Sequence, residues 1–396
     1  MSEDHRSLVR RGTMPRPISR PVATPIWPSV VYRSADADEL DSQYEGRAFG
    51  YTYAREGHPN ADMLREKLDW MEGVTPAMGK GVVVGSGMAA VSAVLLGLLE
   101  KGDHIVAGDQ LYGRSLRLLR QELVRLGFDT TFVDPTDAGA VRDALRPETK
   151  MVMVEVVSNP TLRVADMEGI AAATHAHGAM LVVDNTFTTP RGYKPFMQGA
   201  DVSIQSVTKL LAGHSDVTLG WVAANTPERN KALYDAAVTW GLTPSPFDCW
   251  LAERGLYTFD LRYERAAANA ARLADHLAGL SNVAQVLYPG RTDHPDHNRA
   301  AAVLDGNFGN MVSFRLKGGR PEVNRFLRAA EHIAFAPTLG DVGTTISHPA
   351  SSSHRGLTPE GRAAIGIDEG FIRVSVGVED ADQLIREFEA AVAAAA

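Results

Sequence analysis

The chain carries a single cysteine, Cys249, in 396 residues, so no disulfide can close within it. That excludes a small scaffold stapled by bridges and points to a reducing compartment. Cys249 lies beside Phe247, Trp250 and Leu251, an apolar setting that suits packing better than nucleophilic attack. Also missing is any uncharged apolar run long enough to span a membrane, and Met1–His5 lacks the apolar core of a signal peptide. There is no basic excess: 40 Lys and Arg against 48 Asp and Glu leave a formal charge of −8. Such a surface argues against nucleic acid or an anionic membrane as partner. There is no internal repeat, and only the final alanines are of low complexity. The expected location is the cytoplasm, and no metal is expected.

What is present is ordinary for a folded protein, with 44% hydrophobic and 22% charged residues. A chain this long is expected to divide into one larger and one smaller domain. Residues 1–60 are rich in Pro, Arg and Tyr without a sustained period, and read as an extended arm. From 61 to 250, helical stretches alternate with short β-runs at 81–85, His104–Gly108, Asp129–Val133, Met151–Val157, Met180–Asp184, Val202–Val207 and Leu219–Ala223. This is an α/β pattern, in which sites form at the carboxyl ends of the strands. Residues 251–396 form the smaller part. It has a long Ala-rich helix around Ala266–Leu280, strands at Met311–Leu316, His332–Phe335 and Phe371–Val376, and a last helix over Ala381–Ala394.

Three segments carry chemistry. Ser203-Ile204-Gln205-Ser206-Val207-Thr208-Lys209 reads as an alternating strand leading into the polar loop Gly213-His214-Ser215-Asp216. Alternation would put Gln205, Val207 and Lys209 on one face and Ser206 and Thr208 on the other. A buried strand-end lysine needs a partner or a covalent use, although many such lysines simply reach solvent. Two hydroxyls and an amine suit a phosphate and a carbonyl, the needs of pyridoxal phosphate (PLP). Upstream, the apolar run Ala179–Val183 stops at Asp184, as a parallel strand buried on both faces does on reaching a site. A buried carboxylate there could hold a pyridine nitrogen protonated, or could cap a turn. Finally, Gly81–Gly85 reads as a strand, and Ser86-Gly87-Met88 opens an Ala/Leu-rich helix running to about Glu100. The N–H groups of Gly87 and Met88 suit an anion, though structural helices start in the same way.

With these pieces together, the chain resembles the Cys/Met-metabolism (transsulfuration) family of fold-type I PLP enzymes, from about Thr24 to about Leu384. The likeness rests on Tyr53-Ala54-Arg55, Ser86–Ala90, Tyr112-Gly113 and Glu155 with Ser158-Asn159-Pro160-Thr161-Leu162. It continues through Asp184-Asn185-Thr186, Ser206–Lys209 with Gly213–Asp216, Ser245–Asp248, His348-Pro349-Ala350 and Arg373–Gly377. It implies an aminotransferase-like fold: an arm (1–60), a large, mostly parallel-sheet PLP domain (61–250) and a small α/β domain (251–396).

The resemblance also implies roles. Lys209 would hold PLP and move protons, Asp184 would face the ring nitrogen, and Tyr112 would stack on the ring and share in proton transfer. Ser86, Gly87, Met88, Ser206 and Thr208 would surround the phosphate, while Asn159 would bond the phenolic oxygen. Arg373 would clamp the substrate carboxylate, and Thr338 would border the substrate. Tyr53 and Arg55 would reach a neighbouring subunit's phosphate in a homotetramer built of two dimers.

Four places depart from the family pattern: His58-Pro59-Asn60 after the arm motif, Val156-Val157 after Glu155 where a Ser/Thr-Pro pair is common, Arg114 after Tyr112-Gly113, and the loop Thr338–Thr344, with Thr338 and Gly343 where many γ-active members carry Ser and Glu. Arg114 either reads a second anionic group on the substrate or points to solvent. The implied activity is β- or γ-elimination on a sulfur-containing or related γ-substituted amino acid, such as cystathionine or methionine. A γ-replacement synthase or sulfhydrylase on an O-acylhomoserine is the alternative. Aminotransfer stands further off, and an inactive structural paralogue is the reading from a different class.

Overall fold

Apolar strands with no polar face need cover on both sides, and the chain supplies it around a seven-stranded sheet. The computed structural model describes residues 18–396, so the start of the arm and the Met1–His5 segment lie outside the described residues. The strands are β1 (Val82–Val84), β2 (His104–Gly108), β3 (Asp129–Val133), β4 (Thr149–Glu155), β5 (Met180–Asp184), β6 (Val202–Gln205) and β7 (Gly220–Ala224). Their order is β1-β7-β6-β5-β4-β2-β3, parallel from β6 to β3, with β7 antiparallel to both neighbours.

Burial alternates along the strands. Val182 joins the core beneath helices Gly87–Leu98 and Pro227–Thr239, whereas Leu181 and Val183 join the opposite core beneath Met167–His177. Each such fully buried side chain contributes about 1.5–3 kcal/mol. A second sheet combines β8 (Val283–Leu287), β9 (Met311–Leu316), β10 (Ala334–Phe335), β11 (Thr345–Ser347) and β12 (Phe371–Ser375) in the order β10-β11-β12-β9-β8.

Most expected elements recur within a residue or two, but two differ in an instructive way. The Ala-rich helix starts earlier, at Phe259, and ends at Ala278. Its first turns bury Phe259 and Tyr263 against the large sheet, and its later turns bury Leu273 and Leu277 in the second core. One helix thus serves both cores, which a composition shift near residue 250 cannot reveal. The other difference is in β6, which ends at Gln205 instead of running on to Val207. Ser206 N–H leaves the ladder for the Thr186 hydroxyl at 2.8 Å, and Lys209 N–H turns back to the Ser206 carbonyl at 3.1 Å. The two-face alternation expected through Lys209 therefore fails.

Candidate active site

That turn has a direct consequence. Ser206, Thr208 and Lys209 all line one cavity of about 960 Å³, together with Ser86, Gly87, Met88, Tyr112, Arg114, Asn159, Asp184, Thr338 and Arg373. The cavity opens at the carboxyl ends of β4, β5 and β6, where the first sheet meets the second.

One wall is the start of helix Gly87–Leu98. Ser86 caps it by accepting from Ala89 N–H at 3.0 Å, which leaves the Gly87 and Met88 amides outside the cap bond. A Cβ at position 87 would stand 2.7 Å from Ser206 Cβ, so glycine is what lets the two segments touch. Ser206 Oγ makes no hydrogen bond among the described residues. The Thr208 hydroxyl, by contrast, donates to Leu219 O at 3.0 Å and accepts from Leu219 N–H at 2.9 Å.

At the sheet end, Glu155 and Asp184 face each other in register on β4 and β5. Burial pushes both carboxyls up, Glu155 the more strongly because Asp184 lies beside it. Glu155 accepts from Tyr112 N–H at 2.7 Å, while its Oε2 has no partner. Asp184 accepts from Thr186 N–H at 3.1 Å. Thr186 so links Ser206 to Asp184. The Tyr112 ring is 41% exposed, an aromatic face left open at the cavity.

Across the cavity, Lys209 Nζ reaches the Thr338 hydroxyl, at 3.5 Å, and no other group among the described residues. Burial, followed by the nearby Arg373 charge, lowers its pKa and favours the free amine. Arg373 is held by Asn159 Oδ1 at 2.7 Å and by Thr338 O at 2.8 Å. Burial brings its pKa down to about 10, and its Nε has no partner. Asn159 presents its oxygen to Arg373, which leaves Nδ2 without a bond among the described residues.

The remaining expected residues lie elsewhere. Tyr53 and Arg55 do not border this chain's cavity: Arg55 stacks 5.3 Å over the Tyr53 ring, and Tyr53 is exposed. His58 caps helix Pro59–Glu72 and contacts Pro244 O at 3.2 Å, a structural position remote from the substrate side. Gly343 is absent from the cavity wall and sits beside Asp341 and Glu379.

The donor set fits PLP: a helix N-terminus beside a serine uncommitted among the described residues, a half-buried amine with no anionic partner among them, a carboxyl at a strand end, and an open tyrosine ring. A sequence profile described as Cys/Met metabolism PLP-dependent enzyme matches residues 6–393. The chain belongs to this family.

Its relatives within the family catalyse different reactions. An L-methionine gamma-lyase of Treponema denticola is 35% identical, covering 94% of this chain and 92% of that one. A cystathionine beta-lyase of Bacillus subtilis is 37% identical, covering 86% of each. The crystal structure of a cystathionine gamma synthase from Xanthomonas oryzae pv. oryzae, in complex with cystathionine, superposes with a TM-score of 0.88 at 38% identity, covering 94% of this chain and 93% of that one.

Two parts of the site carry no signal of their role in the sequence: Glu155, which stands there only within a motif, and the segment Ser351–Leu357, which completes the cavity wall with His354 and Arg355. Position 113 explains how that segment reaches the site: a Cβ there would lie 2.3 Å from Ser353 O, so glycine allows the contact. No local pattern announces a packing partner so distant in the chain.

Proposed function

We propose that the protein catalyses PLP-dependent β- or γ-elimination on a sulfur-containing amino acid, releasing a thiol, ammonia and a 2-oxo acid with uptake of water. The observation that carries this reading is the pairing of Lys209, a half-buried amine with no anionic partner among the described residues, with Arg373 in the same cavity. PLP, when bound, supplies the electron sink that makes the substrate's Cα proton acidic. Asp184 is assigned to the ring nitrogen, Asn159 Nδ2 to the phenolic oxygen, and Ser86, Gly87, Met88 and Ser206 to the phosphate. Thr208 joins them by turning its hydroxyl proton from Leu219 O to a phosphate oxygen and by shaping the wall.

Arg373 holds the substrate's α-carboxylate with the N–H groups that Asn159 and Thr338 leave free. Lys209, freed when the substrate amine takes its place, accepts the Cα proton and delivers it to a neighbouring carbon. Its lowered pKa keeps the amine a competent base nearer neutrality. Tyr112 covers the ring face and, lying beside Lys209's side of the cavity, is the second group for proton exchange with the incoming amine.

Arg114 and Arg355 support a substrate with a second anionic group. Both line the cavity, and neither makes an ion pair or hydrogen bond among the described residues. Replacement on an O-acylhomoserine is the second reading, favoured by the likeness to a cystathionine gamma synthase.

We assign residues 1–60 to an arm, 61–250 to the cofactor domain and 251–396 to the small domain. The arm leaves Ile18, Val22, Val30, Val31 and Phe49 exposed, which supports burial against a second copy and a homotetramer in which Tyr53 and Arg55 complete a neighbour's site. The lone buried Cys249 supports a cytoplasmic location.

Product analysis with cystathionine, methionine, cysteine and acylated homoserines tests the reading. A 2-oxo acid with a thiol is expected. A new thioether would transfer the assignment to replacement, and no turnover of any of them would leave an inactive paralogue.

A further inference from the structure

Glu72 is the last residue of helix Pro59–Glu72, and its side chain is wholly buried on the side of β6 away from the helix Gly87–Leu98. A carboxylate in that position is costly unless donors surround it. Three residues supply them: Gln205 Nε2 at 2.6 Å, Ser203 Oγ at 3.2 Å, and Asn185 Nδ2 at 3.3 and 3.4 Å to the two oxygens. Gln205 Nε2 also donates to Asn185 O at 3.0 Å, closing a loop between the ends of β5 and β6. The nearest cation, Lys194, turns its amine to Met71 O instead. Asn185 directly follows Asp184, and Gln205 directly precedes Ser206.

We propose that Glu72 is a positioning residue for the reaction: its carboxylate fixes the spacing of the two strand ends that carry Asp184 and Ser206. Those two residues are assigned to opposite ends of the same rigid ring system, so a small change in their separation misplaces one of them. A group outside the cavity then governs how the ring sits over Lys209. Two of the three donors it gathers keep a partner when it is lost, Asn185 Nδ2 on Tyr193 O at 3.1 Å and Gln205 Nε2 on Asn185 O, and among the described residues only the Ser203 hydroxyl is left without one. Removing Glu72 therefore loosens the site without obliging the fold to collapse.

The inference rests on the assignment of Asp184 and Ser206 to the cofactor, and the test keeps the two apart. Holoenzymes carrying Glu72→Ala, Glu72→Gln and Asp69→Asn are compared for PLP loss on dialysis, the visible absorbance of bound PLP, and kcat against KM. Asp69 lies on the same helix but serves Trp221 and Arg65. Glu72→Ala should shed PLP and lose kcat by roughly tenfold, with KM changed less than about threefold. Glu72→Gln should recover most of this, since its carbonyl can accept from Gln205 and its amide can donate to the Ser203 hydroxyl. Asp69→Asn should lower the Tm alone.

Wild-type kcat and PLP retention in Glu72→Ala, failure of Glu72→Gln to improve on it, or an equal kcat loss in Asp69→Asn would each overturn the proposal. If Glu72→Ala does not fold, Gln205→Leu removes the shortest bond, and unchanged kcat there overturns it equally. Mapping of reduced PLP to a lysine other than Lys209 would instead sink the underlying assignment.

Discussion

Glu155 and Asp184 stand side by side in register at the ends of adjacent parallel strands, one carboxyl buried and the other half-buried at one cavity. Like charges so placed do not both ionise cheaply. Thr186 N–H supports the charge on Asp184, whereas Glu155, with one donor and an oxygen unpartnered among the described residues, is raised the more strongly and is the one that favours its proton.

This arrangement sets a sign for the pH dependence of stability. Glu155 binds its proton more tightly folded than unfolded, where its ordinary value is 4.5. Above that pH the unfolded chain gives up the proton first, so this group's contribution to stability declines as pH rises. Glu155→Gln has no proton to lose and keeps an acceptor for Tyr112 N–H. Denaturant titrations at several pH values should show the variant gaining on wild type as pH increases above about 4.5. A difference independent of pH would place the proton elsewhere.

Lys209 is the predicted attachment point for PLP. Borohydride reduction and peptide mapping should find the pyridoxyl group there, and Lys209→Ala should lose roughly three powers of ten in kcat. No visible band after incubation of the wild type with PLP would refute the assignment.

Arg373 and Asp184 should fail differently. Arg373→Ala removes a contact made to the substrate before and during reaction, so KM should rise by the equivalent of about 2–4 kcal/mol while the bound-cofactor spectrum persists. Asp184→Asn keeps the shape but not the charge, so kcat should fall with KM little changed. Steady-state kinetics on both variants, with matching spectra, decides between these patterns.

Arg114 tests the substrate class. If it reads a distal acid, Arg114→Ala should reduce kcat/KM for cystathionine roughly tenfold more than for methionine, which has no second carboxylate. Equal losses on the two would make Arg114 a surface residue.

Much of this protein is set down locally in its chain. The apolar run that stops at Asp184, the Ser86 cap before Gly87, and the clustering of hydroxyls before Lys209 follow from strand burial, helix capping and side-chain chemistry, which act over a few residues. Those rules located most of the strands and placed Ser86, Gly87, Asp184, Ser206, Thr208 and Lys209 at the site, while Tyr112, Asn159, Thr338 and Arg373 came from the family resemblance. Local alternation nevertheless misjudged Ser206 to Lys209, because the end of β6 is decided by Thr186, a partner from the turn that follows β5. His58 looked like a departure with consequences for the substrate, and packing made it a helix cap.

Only the tertiary structure could join Glu72 to Gln205, 133 residues away, or bring Ser353 against Gly113. It alone exposed the rivalry of Glu155 and Asp184, since a shared proton depends on strand register and burial. Sequence determined which groups are available and which short elements carry them. Their meeting depends on long-range burial, where one hydrogen-bond partner or one missing Cβ selects the neighbour.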